Sequence, residues 1–315
     1  MFERDEKIGG LLRYGIPDFK MEKHHIDRRL EQMKAEGTRF RTGVEIGVDI
    51  TWDDLRSRYD AVLIATGAPK ARDLNVAGRE LTGIHFAMEY LAQANHWVDG
   101  DNVENQIIAD GKHVVILGGG DTGADCLGTA TRQGALSVTT FAIGYQPPTE
   151  RPANQPWPTM PTLFEVSSAH EEFGDRSYLS STVEFVGVDG KLTGIKVAET
   201  EFIEGKRLPK AGTEKVIPAD LVLLALGYSG VEAEQLSKQS SVAIDERGNV
   251  ARDASWATPE DGVFVAGDAG RGASLIVWAI AEGRSAAASI DQYLEGSSEL
   301  PRPVKTTDKP ISIYS

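Results

Sequence analysis

Residues 113–125 read His-Val-Val-Ile-Leu-Gly-Gly-Gly-Asp-Thr-Gly-Ala-Asp, a strand-length apolar run that passes directly into glycines. A run without polar alternation suits a strand buried on both faces of a parallel sheet. Gly118, Gly120 and Gly123 carry GxGxxG spacing. A pyrophosphate can rest on a helix N-terminus only where the backbone turns tightly and comes close, and glycine permits both. The bland alternative is an ordinary glycine-rich turn. The surroundings favour the dinucleotide reading: a helical segment runs on to Gln133, Gly134 closes it, and residues 138–141 alternate as a further strand, which completes a βαβ unit.

An NAD-specific site would place a carboxylate at the end of that further strand to bond the ribose 2′-hydroxyl. The position falls near Ala142, which has none. NADPH is therefore favoured over NADH, with Arg151 either pairing with the 2′-phosphate or standing as a solvated loop charge. Residues 146–161 form a proline-rich excursion containing Trp157, read as an ordered loop. Between residues 182 and 216 the pattern turns to β, with Asp189-Gly190 as a type I′ hairpin signal, so a small antiparallel insertion is expected. Residues 221–226 form another buried strand ending in Gly227, followed by a short hairpin around Gly248.

A second strand-to-helix turn lies at residues 263–268, where an apolar run ends in Gly267 and Asp268 ahead of a helix over 275–294. Such a carboxylate can bond a ribitol hydroxyl while the helix dipole faces an electron-rich ring, or it can serve as an N-cap. Upstream, Ile26, Leu30 and Met33 mark a helix that Gly37 stops, and Thr51 with Asp54 opens a short helix before an apolar run at 61–65 ending in Thr66-Gly67. Glu3 precedes the Gly9-Gly10-Leu11 turn, either as an adenosine-ribose ligand or as an acidic, unstructured start.

The 315 residues, 41% hydrophobic and 25% charged, suffice for two domains, and a net charge of −14 disfavours a nucleic-acid partner. The single cysteine, Cys126, excludes an internal disulfide, a CxxC pair and a four-thiolate cluster built from this chain alone, and suits a reducing cytoplasm. The charged start and the absence of a long apolar run predict neither export nor membrane insertion. Adjacent His24 and His25, and His170 beside two glutamates, lack metal-ligand spacing, so no metal site is assigned.

With these pieces in order, the chain resembles the small-subunit family of bacterial glutamate synthases, flavoproteins with two dinucleotide-binding domains. Residues 3–20, Glu-Arg-Asp-Glu-Lys-Ile-Gly-Gly-Leu-Leu-Arg-Tyr-Gly-Ile-Pro-Asp-Phe-Lys, carry the resemblance most specifically, and residues 59–67, 118–125 and 265–284 match its other motifs. The electron-input half of dihydropyrimidine dehydrogenase is a relative of the same design. The resemblance implies that Glu3 holds the FAD adenosine ribose, that Gly10, Leu11, Lys20 and Gly67 line FAD, and that Ile46 offers main chain to the adenine. It further implies that Gly267 and Asp268 meet the ribitol and that Ser274, Leu275, Ile276 and Val277 present amides to the flavin pyrimidine edge. Gly118, Gly119, Gly120, Asp121, Thr122, Gly123 and Arg151 would hold NADPH, with Gly227 near its nicotinamide half. No side-chain acid or base is expected.

The resulting expectation is an α/β chain of two Rossmann-like dinucleotide-binding domains with a small antiparallel β insertion. Residues 1–73 would open the FAD domain, 74–230 form the NADPH domain with the insertion at about 182–218, 231–295 complete the FAD domain and 296–315 form a mobile tail. The family's cysteine-rich iron–sulfur domain and first glycine loop are not in the sequence, so the chain reads as a fragment whose FAD domain is truncated at its N-terminus. The expected activity is electron input from NADPH through FAD towards a large subunit that makes glutamate from glutamine and 2-oxoglutarate. The alternatives are an input module for another oxidoreductase and an inactive NADPH-binding remnant.

Overall fold

Every residue of the strand Leu221–Leu224 is buried, as a run apolar on both faces requires inside a parallel sheet. It belongs to a computed structural model that describes residues 1–309; the last six residues of the expected tail lie outside the described ones. In chain order the elements are α1 (Gly10–Tyr14), α2 (His24–Ala35), α3 (Trp52–Arg58), β1 (Val62–Ile64), β2 (Ile84–Phe86), α4 (Ala87–Val98), β3 (His113–Leu117), α5 (Asp121–Arg132) and β4 (Ser137–Phe141). There follow α6 (Ser168–Glu172), β5 (Asp175–Ser177), β6 (Ser180–Val188), β7 (Lys191–Ile203), β8 (Lys206–Pro209), β9 (Lys215–Pro218), β10 (Leu221–Leu224), α7 (Glu234–Gln239), β11 (Val263–Val265), α8 (Asp268–Arg271) and α9 (Ile276–Glu295).

The chain divides into two compact units, of which one comprises Gly9–Gly37 and Asp73–Leu226. Its sheet has the order β2-β10-β3-β4-β5 with every pair parallel. Successive residues of β3 and β10 point to opposite faces. Val114, Ile116, Leu221 and Leu223 enter a core with Tyr90 and Leu91 of α4 and Cys126 and Leu127 of α5, while Val115, Leu117, Val222 and Leu224 pack against Phe185, Ile195 and Val197 of the antiparallel insertion. That insertion spans β6 to β9, and its Asp189-Gly190 turn has positive φ at both residues, 50° and 75°, as a type I′ hairpin needs.

The short strands β2 and β5 carry no periodic pattern that predicts them; Ile84–Phe86 is a strand because β10 supplies its partners. The same unit also contains Gly9–Gly37, which the domain expectation placed with the first segment. The reason is side-chain chemistry: Asn95 of α4 donates to the Tyr14 carbonyl at 3.0 Å, and the Arg132 guanidinium of α5 covers the Phe19 ring at 3.7 Å.

The second unit comprises Met1–Ile8, Thr38–Arg72 and Gly227–Ser315. Here β1 and β11 pair in parallel over a core of Trp52, Leu55, Ile64, Val263 and Val265. Helix α3 begins where the sequence pattern puts it, with the Thr51 hydroxyl accepting from the Asp54 amide at 3.1 Å. Part of the segment expected to be a mobile tail is bound. Ser285 donates to the Val304 carbonyl at 2.8 Å, and Arg302 donates to the Ala288 carbonyl at 3.2 Å and to Gln292 at 2.6 Å. Small buried residues on α9, Ser285, Ala286, Ala288 and Ser289, leave room for that segment to lie against the helix.

Leu223 has no exposed surface whereas Leu136 is 62% exposed. Leu223→Ala is therefore expected to lower unfolding free energy by about 2–5 kcal/mol and Leu136→Ala by about 0.5 or less, read from urea denaturation midpoints.

Candidate dinucleotide sites

The three glycines after β3 are required for different reasons. A Cβ on Gly118, whose φ is 124°, would stand 2.1 Å from the Ala225 carbonyl oxygen at the end of β10. A Cβ on Gly123 would stand 2.3 Å from the Gly118 carbonyl oxygen, so its absence lets α5 lie close on β3. Packing alone therefore demands both. Gly120 has an ordinary φ of −88° and nothing within 4 Å of its Cβ position. The space in front of it is one that the protein does not itself use, which fits a glycine kept open for close approach of a ligand.

Gly120 is also the N-cap of α5 and supplies no side-chain acceptor, so the amides of Asp121, Thr122 and Gly123 begin a helix whose positive end is uncovered by any capping side chain. Gly119 packs its Cβ position 3.3 Å from the Ala142 methyl group. Ala142 directly follows β4, its amide donating to the Ser177 carbonyl at 2.8 Å, and no carboxylate occupies the position that would select a 2′-hydroxyl. Arg151 is tied into the proline-rich loop: one terminal nitrogen, Nη1, donates to the carbonyls of Gln155 and Thr159, both at 2.9 Å. Sequence spacing could not show this, because the acceptors are backbone atoms set by the loop's shape.

The other turn leaves β11 through Gly267, with φ 69° and ψ −155°, into Asp268. The Asp268 Oδ1 accepts from both the amide and the hydroxyl of Ser274 at 3.2 Å. Burial raises its pKa above the ordinary carboxylate value, against the lowering effect of the Ser274 bonds. Leu275, the N-cap of α9, gives no side-chain cap, and the residues that start the helix are unusually exposed for apolar ones, 61% at Leu275 and 65% at Val277. An uncapped helix start flanked by exposed apolar side chains can receive a flat, partly apolar acceptor and place positive dipole at its edge.

One buried charged residue beside this turn is missing from the sequence reading. Glu282 is fully buried inside α9 and accepts from Arg252, Arg271 and the Gly267 amide. The available signal is its spacing: positions 282, 285, 286 and 289 share the buried face of the helix, which puts a carboxylate where only small residues otherwise stand.

The remaining expected site residues separate between the units. Glu3, Ile46, Gly67 and Gly227 lie in the unit of Asp268 and Ser274–Val277, whereas Gly10, Leu11 and Lys20 lie in the unit of Gly118–Gly123 and Arg151. Glu3 does not belong to an unstructured start. Phe2 bridges Arg41 in parallel, the Glu3 amide donates to the Arg41 carbonyl at 2.9 Å, and its Oε1 accepts from the Asp5 amide at 3.0 Å. Ile46 bridges Ile50, and Gly67 and Gly227 hold φ of 72° and 78° with open space at their Cβ positions. Gly10 begins α1 and Leu11 is 45% exposed, while the Lys20 ammonium is paired with Asp125 of α5. Lys20 is thus committed electrostatically to the helix behind the glycine turn.

Cys126 is unpaired with other cysteines and fully buried, and burial pushes its thiol up, away from nucleophilic use. Burial, aided by Arg176 and Lys20, lowers His170 to about 4, and its Nδ1 lies 2.8 Å from the Ser167 hydroxyl. No group of three or more potential metal ligands occurs among the described residues, and none of their helices is long and apolar enough to cross a membrane.

Two strand-to-helix turns opening on dinucleotide-type helix starts define a class of nucleotide-binding α/β oxidoreductases, and comparison bears directly on it. Residues 20–283 match the family described as pyridine nucleotide-disulphide oxidoreductase, and the chain belongs to that family. Its lone cysteine means that it carries no redox disulfide of its own. It is 54% identical to the glutamate synthase [NADPH] small chain of Mycobacterium tuberculosis, over 99% of this chain and 65% of that protein. It is 45% identical to the corresponding Bacillus subtilis small chain, over 96% and 64%. The chain therefore spans slightly less than two thirds of the length of these curated relatives. Among solved structures, Mycobacterium tuberculosis FprA in complex with NADPH shares the fold at TM-score 0.67 and 20% identity, covering 94% of this chain and 76% of that one. Thioredoxin reductase of T. acidophilum does so at TM-score 0.63 and 20% identity, covering 94% and 89%.

Two outcomes follow from this geometry. Gly123→Ala should lower unfolding free energy by about 1–3 kcal/mol, because a methyl group is forced against backbone, whereas Gly120→Ala should leave it unchanged; thermal melts distinguish them. Because the native Asp268 pKa is raised, the native state binds this proton more tightly than the unfolded chain, and ionisation costs stability as pH rises from the ordinary carboxylate range through the native value. The stability difference Asp268→Asn minus wild type should therefore move in favour of Asn over that interval, measured by urea unfolding at stepped pH.

Proposed function

We propose that the chain is the NADPH- and FAD-binding part of a glutamate synthase small subunit. In this reading it takes hydride from NADPH and passes electrons through FAD towards a large subunit, where glutamine and 2-oxoglutarate become two glutamates. Similarity to glutamate synthase small chains carries the reading, and the two turns support it chemically. The residues present fit both cofactors. Gly120 leaves open the approach to an uncapped helix, and Asp268 with the start of α9 offers a carboxylate acceptor, free-ended amides and apolar surface.

NADPH would be held by the backbone of Gly118, Gly119, Gly120, Asp121, Thr122 and Gly123. Arg151 would meet its 2′-phosphate with the guanidinium edge that Nη1 does not use. In the unit of Asp268, FAD would be held by Glu3 at the adenosine ribose, by Ile46 at the adenine and by Gly67 along its length. Gly267 and Asp268 would meet the ribitol and Leu275, Ile276 and Val277 the pyrimidine edge, while Ser274, whose amide and hydroxyl both donate to Asp268, would orient that carboxylate. When bound, FAD supplies the chemistry, accepting hydride and releasing electrons singly. The side chains bind and orient, and the amides at the α9 start stabilise the negative charge of reduction. The large-subunit partner and a cytoplasmic setting belong to the same proposal.

The purified chain mixed with FAD and freed of excess should retain yellow colour near one flavin per chain and reduce a dye with NADPH. Absence of both overturns the reading as an electron-input enzyme. NADPH binding without FAD binding would instead leave the nucleotide remnant. Within the proposal, Gly120→Ala should weaken NADPH binding at least about tenfold without changing the melting temperature, since an added methyl blocks approach to the amides. Arg151→Ala should cost NADPH about 10- to 100-fold in affinity and NADH little, the worth of a charge-assisted bond to phosphate; isothermal calorimetry with both nucleotides reads the difference.

A further inference from the structure

Glu282 has no exposed side-chain surface, yet both of its oxygens are taken twice. Arg252 donates bidentately at 2.8 and 2.9 Å, Arg271 Nε donates at 2.6 Å and the Gly267 amide at 2.9 Å. These donors come from the segment before β11, from the turn after it and from α8, so one carboxylate on α9 ties three separate stretches of backbone together. Each arginine is also held on its other side. Arg252 lies 4.5 Å over the Trp256 ring and donates to the Val265 carbonyl at 3.3 Å, while Arg271 lies 4.3 Å over the Trp278 ring and donates to the Asp308 carbonyl at 2.9 Å.

Within the clamp itself two guanidinium groups face one carboxylate, an excess of one positive charge, with the Asp268 carboxyl as a further acid within electrostatic reach; Arg252 and Arg271 are only 7% and 13% exposed. A clamp alone needs one arginine, and an unmatched buried charge is costly. Glu282, the carboxylate that both arginines share, lies six residues along α9 from Ile276, about 9 Å at the helical rise. At that separation inside a protein a unit charge still influences a developing anion by about tenfold in equilibrium. The clamped Gly267 leads directly into Asp268, whose carboxyl feels both Glu282 and Arg271.

We propose that Glu282 is a positioning residue for the flavin: with Arg252 and Arg271 it forms a buried, net-positive clamp that sets the Gly267-Asp268 turn against α9 and favours the anionic reduced flavin. The proposal rests on the reading that FAD occupies Asp268 and the start of α9. It requires no group transfer from the clamp, which acts through geometry and field.

The test compares wild type, Glu282→Gln, Arg271→Gln and Arg271→Lys for FAD affinity, flavin midpoint potential and apo melting temperature. Glu282→Gln should weaken FAD binding at least tenfold. Arg271→Gln keeps the bidentate Glu282–Arg252 pair but removes the second positive charge together with the Glu282, Asp308 and Trp278 contacts, and Arg271→Lys, which returns the charge without the guanidinium contacts, separates the two effects even if Glu282→Gln fails to fold. Arg271→Gln should bind oxidised FAD nearly as wild type does but lose about tenfold in preference for the reduced flavin, seen as a lower midpoint potential, and Arg271→Lys should restore most of that preference. An Arg271→Gln potential equal to wild type, or equal weakening of both redox states alongside a lower melting temperature, would overturn the proposal and leave a structural clamp. If wild type binds no FAD, the functional reading fails and this inference with it, an outcome distinct from the previous two.

Discussion

The structure around the first turn depends on one close approach: the end of β3 and the start of α5 come together so tightly that the only tolerable atom at position 123 is hydrogen. A strand buried on both faces must leave the sheet at its end, and a helix must begin at once if it is to cover the same face. Gly118 makes the exit beside the Ala225 carbonyl and Gly123 lets the helix settle on the strand. Once those two contacts are made, Gly120 is left with open space at its Cβ position and α5 with an uncapped start, so the open approach is a by-product of packing. The strand order around β3 and the two-sided core then follow from alternate burial of Val114, Val115, Ile116 and Leu117.

The turn after β11 solves the same problem by different means. Its close contacts are looser, the nearest atom to a Gly267 Cβ being 3.5 Å away, and what holds the turn is charge. Glu282 binds the Gly267 amide and two arginines at once, so the direction of Asp268 depends on an ion cluster. The first turn excludes a methyl group by contact, whereas the second excludes it by the backbone conformation of Gly267 and depends in addition on the charge of Glu282. The two halves of a nucleotide-binding protein can therefore respond to substitution quite differently even when their motifs look alike in sequence.

The segment 9–37 is the clearest case of chemistry overriding sequence order. It stands between two stretches of the other unit, yet its Arg13 pairs with Asp27, its Lys20 with Asp125, and its buried Lys23 donates to the carbonyls of Ile16 and Met21. The arginine and two lysines make a linker-like stretch into an ordered one. Arg13 and Lys20 fall inside the stretch 3–20 that carries the resemblance most specifically, so those two residues have a structural use beside any contact with a cofactor.

Much of the fold was legible because it rests on local rules. The β3–glycine–α5–β4 unit, the Asp189-Gly190 hairpin, the Thr51 cap and the α9 span are all written in apolar runs, glycine positions and caps, whose physics acts over a few residues. Tertiary structure alone decided that Ile84–Phe86 is a strand, that Arg302 and Val304 are bonded to α9, that Arg151 commits Nη1 to loop carbonyls, and that Glu282 gathers two arginines 11 and 30 residues away. Each depends on a partner distant in sequence or on a backbone acceptor, and periodicity carries no information about either. The sequence by itself determined where nucleotides can meet helix starts; only the folded chain determined which charges hold those starts in place, because ion pairs are set by proximity in space and not along the chain.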